Sequence, residues 1–216
     1  MSRLRKNPLA QKELAIYPFV FDWKLVKDNL ELDKIFNNNN DFYLEIGMGK
    51  GDFIIEHALL SPPKNFLGIE KFQTVQLIAA KKITNLIPNL DNLKLVSADV
   101  SDFLPEIKNN LIAGIYLNFS DPWPKIRHAK RRLMDLSFLT QYNRILKSGG
   151  FIEFKTDQLS LFEFALEQIN LSKQFNLVKI DYDLHQKQAQ EIIKTEYEKK
   201  FLADNIKINF LKIEKI

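Results

Sequence analysis

From Phe42 onward, short apolar and aromatic runs alternate with longer segments whose apolar positions recur every three or four residues. The runs at 42–46, 66–70, 93–97, 112–119 and 151–155 are rich in Phe, Leu, Ile and Val, the composition of strands buried in a parallel sheet. Helical spacing fills the intervals. Phe53, Ile54, His57 and Ala58 recur at helical spacing within 52–60, and Val75, Ile78, Ala79, Ile83 and Leu86 do so within 72–87. The segment 130–147 places Leu133, Met134, Phe138, Tyr142, Ile145 and Leu146 on one helical face, with Gly149–Gly150 expected to end that helix. Another helix is predicted over about 159–170. Two later apolar runs, 175–182 and 206–213, flank a polar helical stretch. Five βα units followed by a strand pair predict a three-layer α/β sandwich: a mostly parallel, seven-stranded sheet with a C-terminal antiparallel pair. Sheets of this kind bind ligands beyond the carboxyl ends of their strands.

Composition narrows the function. The 216 residues contain no cysteine, which excludes disulfides, thiolate metal sites and a thiol nucleophile. No apolar run reaches the roughly 20 residues of a membrane span, and the start carries no apolar signal core. A cytoplasmic protein is therefore expected. The net charge of +4 is unevenly spread. Arg3, Arg5, Lys6 and Lys12 fall in the first twelve residues, and Lys125, Arg127, Lys130, Arg131 and Arg132 within eight, with no acid in either run. Two basic patches on an otherwise acidic chain point to a polyanionic partner. Residues 1–36 are expected to form a mobile basic arm that closes on that partner, and 37–216 a single domain.

The first strong strand runs into Glu45-Ile-Gly47-Met-Gly49-Lys-Gly51-Asp52. Glycines there permit a tight turn and close approach of a ligand, although many such loops need a glycine for structure alone. The spacing is GxGxG rather than the GxGxxG of dinucleotide enzymes, which disfavours a nicotinamide dehydrogenase. The second strand ends in Glu70, placed to accept from ribose hydroxyls, and the third in Asp99, able to accept from an adenine amine or to cap the following turn. Three acids around a glycine loop would repel a pyrophosphate. They suit a ligand with ribose, adenine and a positive centre, as in S-adenosylmethionine, and here the chain resembles class I methyltransferases of Rossmann-like fold.

The fourth strand opens into Asn118-Phe-Ser-Asp121-Pro122-Trp123-Pro124-Lys125-Ile-Arg127-His128-Ala-Lys130-Arg131-Arg132. Two prolines stiffen the loop. Taken singly, Asp121 could cap a helix, Trp123 could anchor a core and the cations could face solvent. Together they are hard to explain as packing. The run resembles the signature of the bacterial tRNA (guanine-N7-)-methyltransferases, and RLRKNPLA, EIGMGKG, GIEKF, SADVSDF, FKTDQ and TEYEKKF fall where that family has its blocks. Ile126, where many members are basic, and Ser120, where many have proline, depart from the pattern.

The resemblance implies methyl transfer from S-adenosylmethionine to guanine N7 in the tRNA variable loop at position 46. It implies Glu45, Gly47, Gly49, Glu70, Asp99 and Asp121 at the cofactor, with Asp121 also catalytic. It further implies Lys125, Asp157, Thr195, Glu196, Tyr197 and Glu198 at the substrate, and Arg127, His128, Lys130, Arg131 and Arg132 against RNA. Thr195–Glu198 also reads as a capping box, and Asp157 as a cap for the helix after it. The three histidines lack metal-ligand spacing and read as isolated helix-face or surface residues. The expected partner is tRNA, with no metal and no membrane, and monomer and homodimer are both open. The rival readings are methylation of another RNA or of an exocyclic amine, and a non-catalytic RNA-binding module.

Overall fold

The computed structural model describes residues 6–25, 30–86, 90–185 and 193–216. These form two compact units, Met1–Lys108 and Asn109–Ile216.

In the first unit, strands β1 (Val20–Phe21), β2 (Phe42–Ile46), β3 (Asn65–Glu70) and β4 (Leu93–Ser97) lie in the order β1-β4-β3-β2, all parallel. Every residue of β2 and β3 is buried, which explains why both sequences lack polar alternation. Helix α3 (Asp52–Leu60) buries Phe53, Ile54, Ile55 and Ala58, and α4 (Gln73–Leu86) buries Leu77, Ala79, Ala80 and Ile83. Each large side chain of this set contributes about 1.5–3 kcal/mol by leaving water. Gly51 lets the two helices meet: a Cβ there would lie 2.9 Å from the Ala79 Cβ.

Described residues before β2 pack onto this unit. Helix α1 (Ala10–Leu14) buries Ala10 and Leu14, and the Asn7 N–H donates to Thr74 Oγ1 at 3.0 Å. Lys81 reaches Glu13 at 3.0 Å. Trp23 is buried edge-on to Phe103, 5.7 Å between ring centres. Strand β1, which the apolar pattern did not announce, pairs Val20 with Leu95. Helix α2 (Leu32–Phe36) closes on Asn37 in the left-handed region. Lys6 and Lys12 are exposed, while Arg3 and Arg5 lie outside the described residues. The short helix α5 (Val100–Phe103) completes the unit.

In the second unit, β5 (Ile112–Asn118) is parallel to β6 (Leu146–Thr156), and β8 (Asn209–Lys215) is antiparallel to both β6 and β7 (Phe175–Asp181), lying between them. Helices α6 (Leu136–Ile145), α7 (Leu159–Ser172) and α8 (Glu196–Ala203) accompany them. The expected helix over 130–147 is corrected here. A 3-10 segment occupies Ile126–Arg131, and α6 begins only after Asp135, whose carboxylate accepts from the Ser137 N–H at 3.0 Å. The helix ends at Ile145 because Leu146 is already extended and pairs with Ile112. Gly149–Gly150 therefore lie inside β6 rather than at a helix end. A Cβ on Gly150 would meet the Lys147 carbonyl at 2.9 Å, so the strand requires glycine there. Part of the polar stretch before α8, residues 186–192, lies outside the described residues. No described helix is long and apolar enough to cross a membrane.

Candidate functional site

The glycine loop leaves β2 in the left-handed region. Gly47 has φ 76° and Gly49 φ 57°, and a Cβ on either would meet nothing within 4 Å. Two adjacent N–H groups, Gly47 and Met48, both donate to the Ile69 carbonyl and fasten the loop to the end of β3. Glu70, 7% exposed, completes the turn: its carboxylate accepts from the Gly49 N–H at 3.1 Å and the Phe72 N–H at 2.8 Å. Each oxygen thus holds one backbone donor, which fixes the carboxylate at the end of β3. Glu45, on β2, is 2% exposed. Open space over left-handed glycines, beside two buried acids at the strand ends, suits a ligand with hydrogen-bond donors and positive charge.

Asp99 performs the capping role foreseen for it. Its Oδ1 accepts from the Ser101 N–H at the start of α5, and its Oδ2 lies 2.5 Å from Lys71 Nζ. The Lys71 hydrogen bond holds this carboxyl below the ordinary range. One oxygen on a backbone cap and one on an exposed lysine keep the carboxylate ionised at the end of β4.

In the second unit, the loop after β5 departs from ordinary backbone at Phe119 (φ 50°) and Trp123 (φ 41°). A bulky residue before proline disfavours that region, at about 1–3 kcal/mol. Asp121 stands exposed on this loop. Three residues of the basic run converge on Trp123. The His128 ring meets it edge-on with 5.7 Å between centres, and Arg131 lies over its face at 4.9 Å. Arg132 donates from Nε to the Pro122 carbonyl and from Nη2 to the Trp123 carbonyl, each at 3.1 Å. Lys125, Arg127 and Lys130 are exposed, and Ile126 is 90% exposed among them.

Asp157 follows β6 and is partly exposed. It does not cap α7: Gln158 occupies the cap position, and the Gln158 N–H donates to Thr156 Oγ1 instead. Thr195–Glu198 forms the capping box of α8, with the Glu198 N–H on Thr195 Oγ1 at 2.9 Å and the Thr195 N–H on Glu198 Oε2 at 3.2 Å. Thr195 and Glu198, expected at the substrate, are turned inward. Glu198 is 0% exposed, held by Lys155 Nζ at 3.1 Å and His185 Nε2 at 2.7 Å. Glu196 and Tyr197 face outward, with Tyr197 stacked on Phe119 at 6.1 Å.

His185 is therefore no isolated surface histidine. The buried Lys155–Glu198 ion pair and the partly buried His185 make a cluster that sequence spacing did not reveal, since its members come from β6, the turn after β7 and α8. Among the described residues no group of three or more His, Cys, Asp or Glu side chains is arranged to hold a metal ion.

A family model described as "Putative methyltransferase" matches residues 39–211. Two of the solved structures this chain resembles are the 16S rRNA methyltransferase KamB (TM-score 0.65, 12% identity, 87% of this chain and 93% of that one) and the aminoglycoside resistance methyltransferase NpmB1 (TM-score 0.64, 18% identity, 86% and 92%). At such identities they show the fold, the class I methyltransferase arrangement. Curated relatives are much nearer in sequence. The tRNA (guanine-N(7)-)-methyltransferase of Ureaplasma urealyticum is 43% identical over 95% of this chain and 94% of its own. That of Geobacillus thermodenitrificans is 41% identical over 95% and 94%, and that of Oenococcus oeni 45% over 82% and 84%. With identity of this order over most of both chains, this chain belongs to the bacterial tRNA (guanine-N(7)-)-methyltransferase family.

Proposed function

We propose that this protein methylates N7 of guanine in the variable loop of tRNA, at position 46, with S-adenosylmethionine as donor. The observation that carries the reading is near-full-length identity to enzymes of this name in a chain that keeps an open glycine loop, a buried strand-end acid and an exposed Asp121 followed by cations. When bound, S-adenosylmethionine supplies an electrophilic methyl group on a sulfonium centre. Gly47 and Gly49 would admit the ligand against the backbone, Glu70 would accept from its ribose hydroxyls, and Glu45 and Asp99 would add negative charge suited to a cationic ligand.

Guanine N7 carries a lone pair and no proton, so no side chain has to remove one. Catalysis is then a matter of positioning, worth up to about 7–11 kcal/mol in favourable systems. As the guanine ring gains positive charge, Asp121 orients it and stabilises that charge, a role worth about 3–4 kcal/mol. Lys125 and Asp157 take part in holding the base, with Glu196 and Tyr197 on the exposed side of α8. Arg127, Lys130 and the basic start hold phosphates, and the reaction takes place in the cytoplasm, where tRNA is processed.

Radiolabelled methyl transfer to unmodified tRNA, followed by nucleoside analysis, tests the reading. Label is expected in 7-methylguanosine. Label in an exocyclic amine, or none, would select a rival activity or a binding module. Asp121→Ala is expected to slow single-turnover methylation about 100-fold or more with tRNA affinity largely kept.

A further inference from the structure

We infer that Arg132 is a positioning residue for the Asp121 loop, its guanidinium spent on the protein's own backbone rather than on RNA phosphate. The inference rests on the reading of Asp121 as the group that orients the base.

The loop from Asp121 to Pro124 has an unusual hydrogen-bonding problem. Pro122 and Pro124 carry no N–H, so half of this four-residue stretch lacks a backbone donor. Trp123, between them, sits at φ 41°, where a bulky side chain costs energy. A strained loop with few donors persists only if other parts of the structure determine it. Arg132 provides that determination. It places two N–H groups of one planar fork on two consecutive carbonyls, Pro122 and Trp123, both at 3.1 Å.

The base of the side chain is also fixed. The Arg132 N–H donates to the Ala129 carbonyl at 2.9 Å, and the Arg132 carbonyl accepts from the Asp135 N–H at 2.9 Å. The guanidinium then lies over the Phe164 ring of α7, 4.4 Å from its centre. An arginine tied at its main chain, packed on an aromatic face and forked onto a loop is a strut. Only the guanidinium can do this. A lysine keeps the charge but presents a compact ammonium with no fixed fork. The basic run thus divides: Lys125, Arg127 and Lys130 remain exposed for a polyanion, while Arg132 sets the loop that carries Asp121.

The test uses Trp123 as its own reporter. Replacing Trp23 by Phe leaves Trp123 as the single tryptophan of the chain. In that background Arg132→Lys, Arg132→Ala and Arg127→Ala are compared with the parent by acrylamide quenching of the free protein, by single-turnover methylation, and by tRNA affinity as a function of salt. Arg132→Lys is expected to raise the quenching of Trp123 and to slow the single-turnover rate by about 10–100-fold, the effect of a small misplacement. Its tRNA affinity and salt slope should match the parent, because the charge is retained. Arg127→Ala should leave quenching unchanged and flatten the salt slope by about one phosphate contact.

Parent-like quenching and rate in Arg132→Lys would overturn the inference. So would a flattened salt slope in Arg132→Ala with unaltered quenching, since that is the signature of a phosphate contact. Thermal melts of both Arg132 variants separate loss of the loop from loss of the fold. A parent protein that failed to make 7-methylguanosine would defeat the functional reading, whereas the quenching comparison would still report on Arg132.

Discussion

Removing the Glu198 carboxylate should be among the most damaging single changes in the second unit. The group is 0% exposed and receives Lys155 Nζ at 3.1 and 3.3 Å, His185 Nε2 at 2.7 Å and the Thr195 N–H at 3.2 Å. In Glu198→Ala the Lys155 ammonium, only 4% exposed, loses its opposing charge. Breaking a buried pair by removing one partner costs about 3–5 kcal/mol. Loss of the capping interaction on α8 adds about 0.5–2 kcal/mol. The two losses share one carboxylate and do not sum fully, so about 4–6 kcal/mol is expected. At about 2–4 °C per kcal/mol for a chain of this length, the melting temperature should fall by roughly 10–20 °C.

Thermal unfolding followed by circular dichroism measures the drop. The discriminating variant is Glu198→Ala combined with Lys155→Met, which removes both charges and fills the space of the lysine stem. Replacing a buried pair with apolar groups is often neutral or better, so the double variant should recover about 1–4 kcal/mol over the single one. A Glu198→Ala protein melting within about 2–4 °C of the parent, the shift of roughly 1 kcal/mol, would refute the reasoning. So would a double variant no more stable than the single one.

Gly49→Ala places a Cβ in the open space over the loop and holds alanine at φ 57°. It should abolish S-adenosylhomocysteine binding in calorimetry while destabilising the fold by only about 1–2 kcal/mol; retained binding would show that the ligand lies elsewhere. Asp99 is held below its ordinary range chiefly by the Lys71 hydrogen bond. Its contribution to stability is therefore present above the ordinary carboxylate range and lost as pH falls through the lowered value. In Lys71→Met the Asp99 titration, followed by carboxyl NMR, should move up toward the ordinary range, and an unmoved titration would assign the shift to the Ser101 cap alone. If the basic start acts as an arm that closes on RNA, amide exchange across α1 should slow when tRNA is added; equal rates with and without tRNA would remove the arm from the binding surface.

Much of the fold was legible because its central strands, β2 and β3 throughout, are buried on both faces. A strand such as Phe42–Ile46 is buried throughout, Glu45 included, and so shows no polar alternation, while α3 was bounded by Gly51 before it and Ser61 after it. The segment 130–147 misled because apolar spacing alone does not separate a helix from the turn before it and the strand after it. Leu133 and Met134 are spaced like helix residues yet precede α6, and Asp135 with Ser137 two residues on was the signal that a helix started there. Strand β1 is two residues long, too short for any period to register.

At the site, the residue types at the strand ends were readable, but their use of hydrogen bonds was not. Whether Asp99 caps or accepts, and whether Asp157 caps, depends on which neighbouring N–H is nearest. The cluster around Glu198 joins Lys155 from 43 residues away and His185 from 13, a separation at which no local pattern survives. The fork of Arg132 on the proline loop belongs to the same class. The run was visibly basic, but only the fold distinguishes a cation facing solvent from one facing a carbonyl.

The position of β8 between β6 and β7 has a consequence for how the chain is made. During synthesis β6 and β7 both emerge before the strand that joins them, and they have no ladder with each other in the finished unit. Until residues 209–215 leave the ribosome, the edge of β6 with its buried Ile152 and Phe154 stands open to any other extended chain. The second unit therefore cannot complete its strand ladder before β8 emerges, and the interval in which it invites misassociation includes the time needed to translate the residues from β6 to β8.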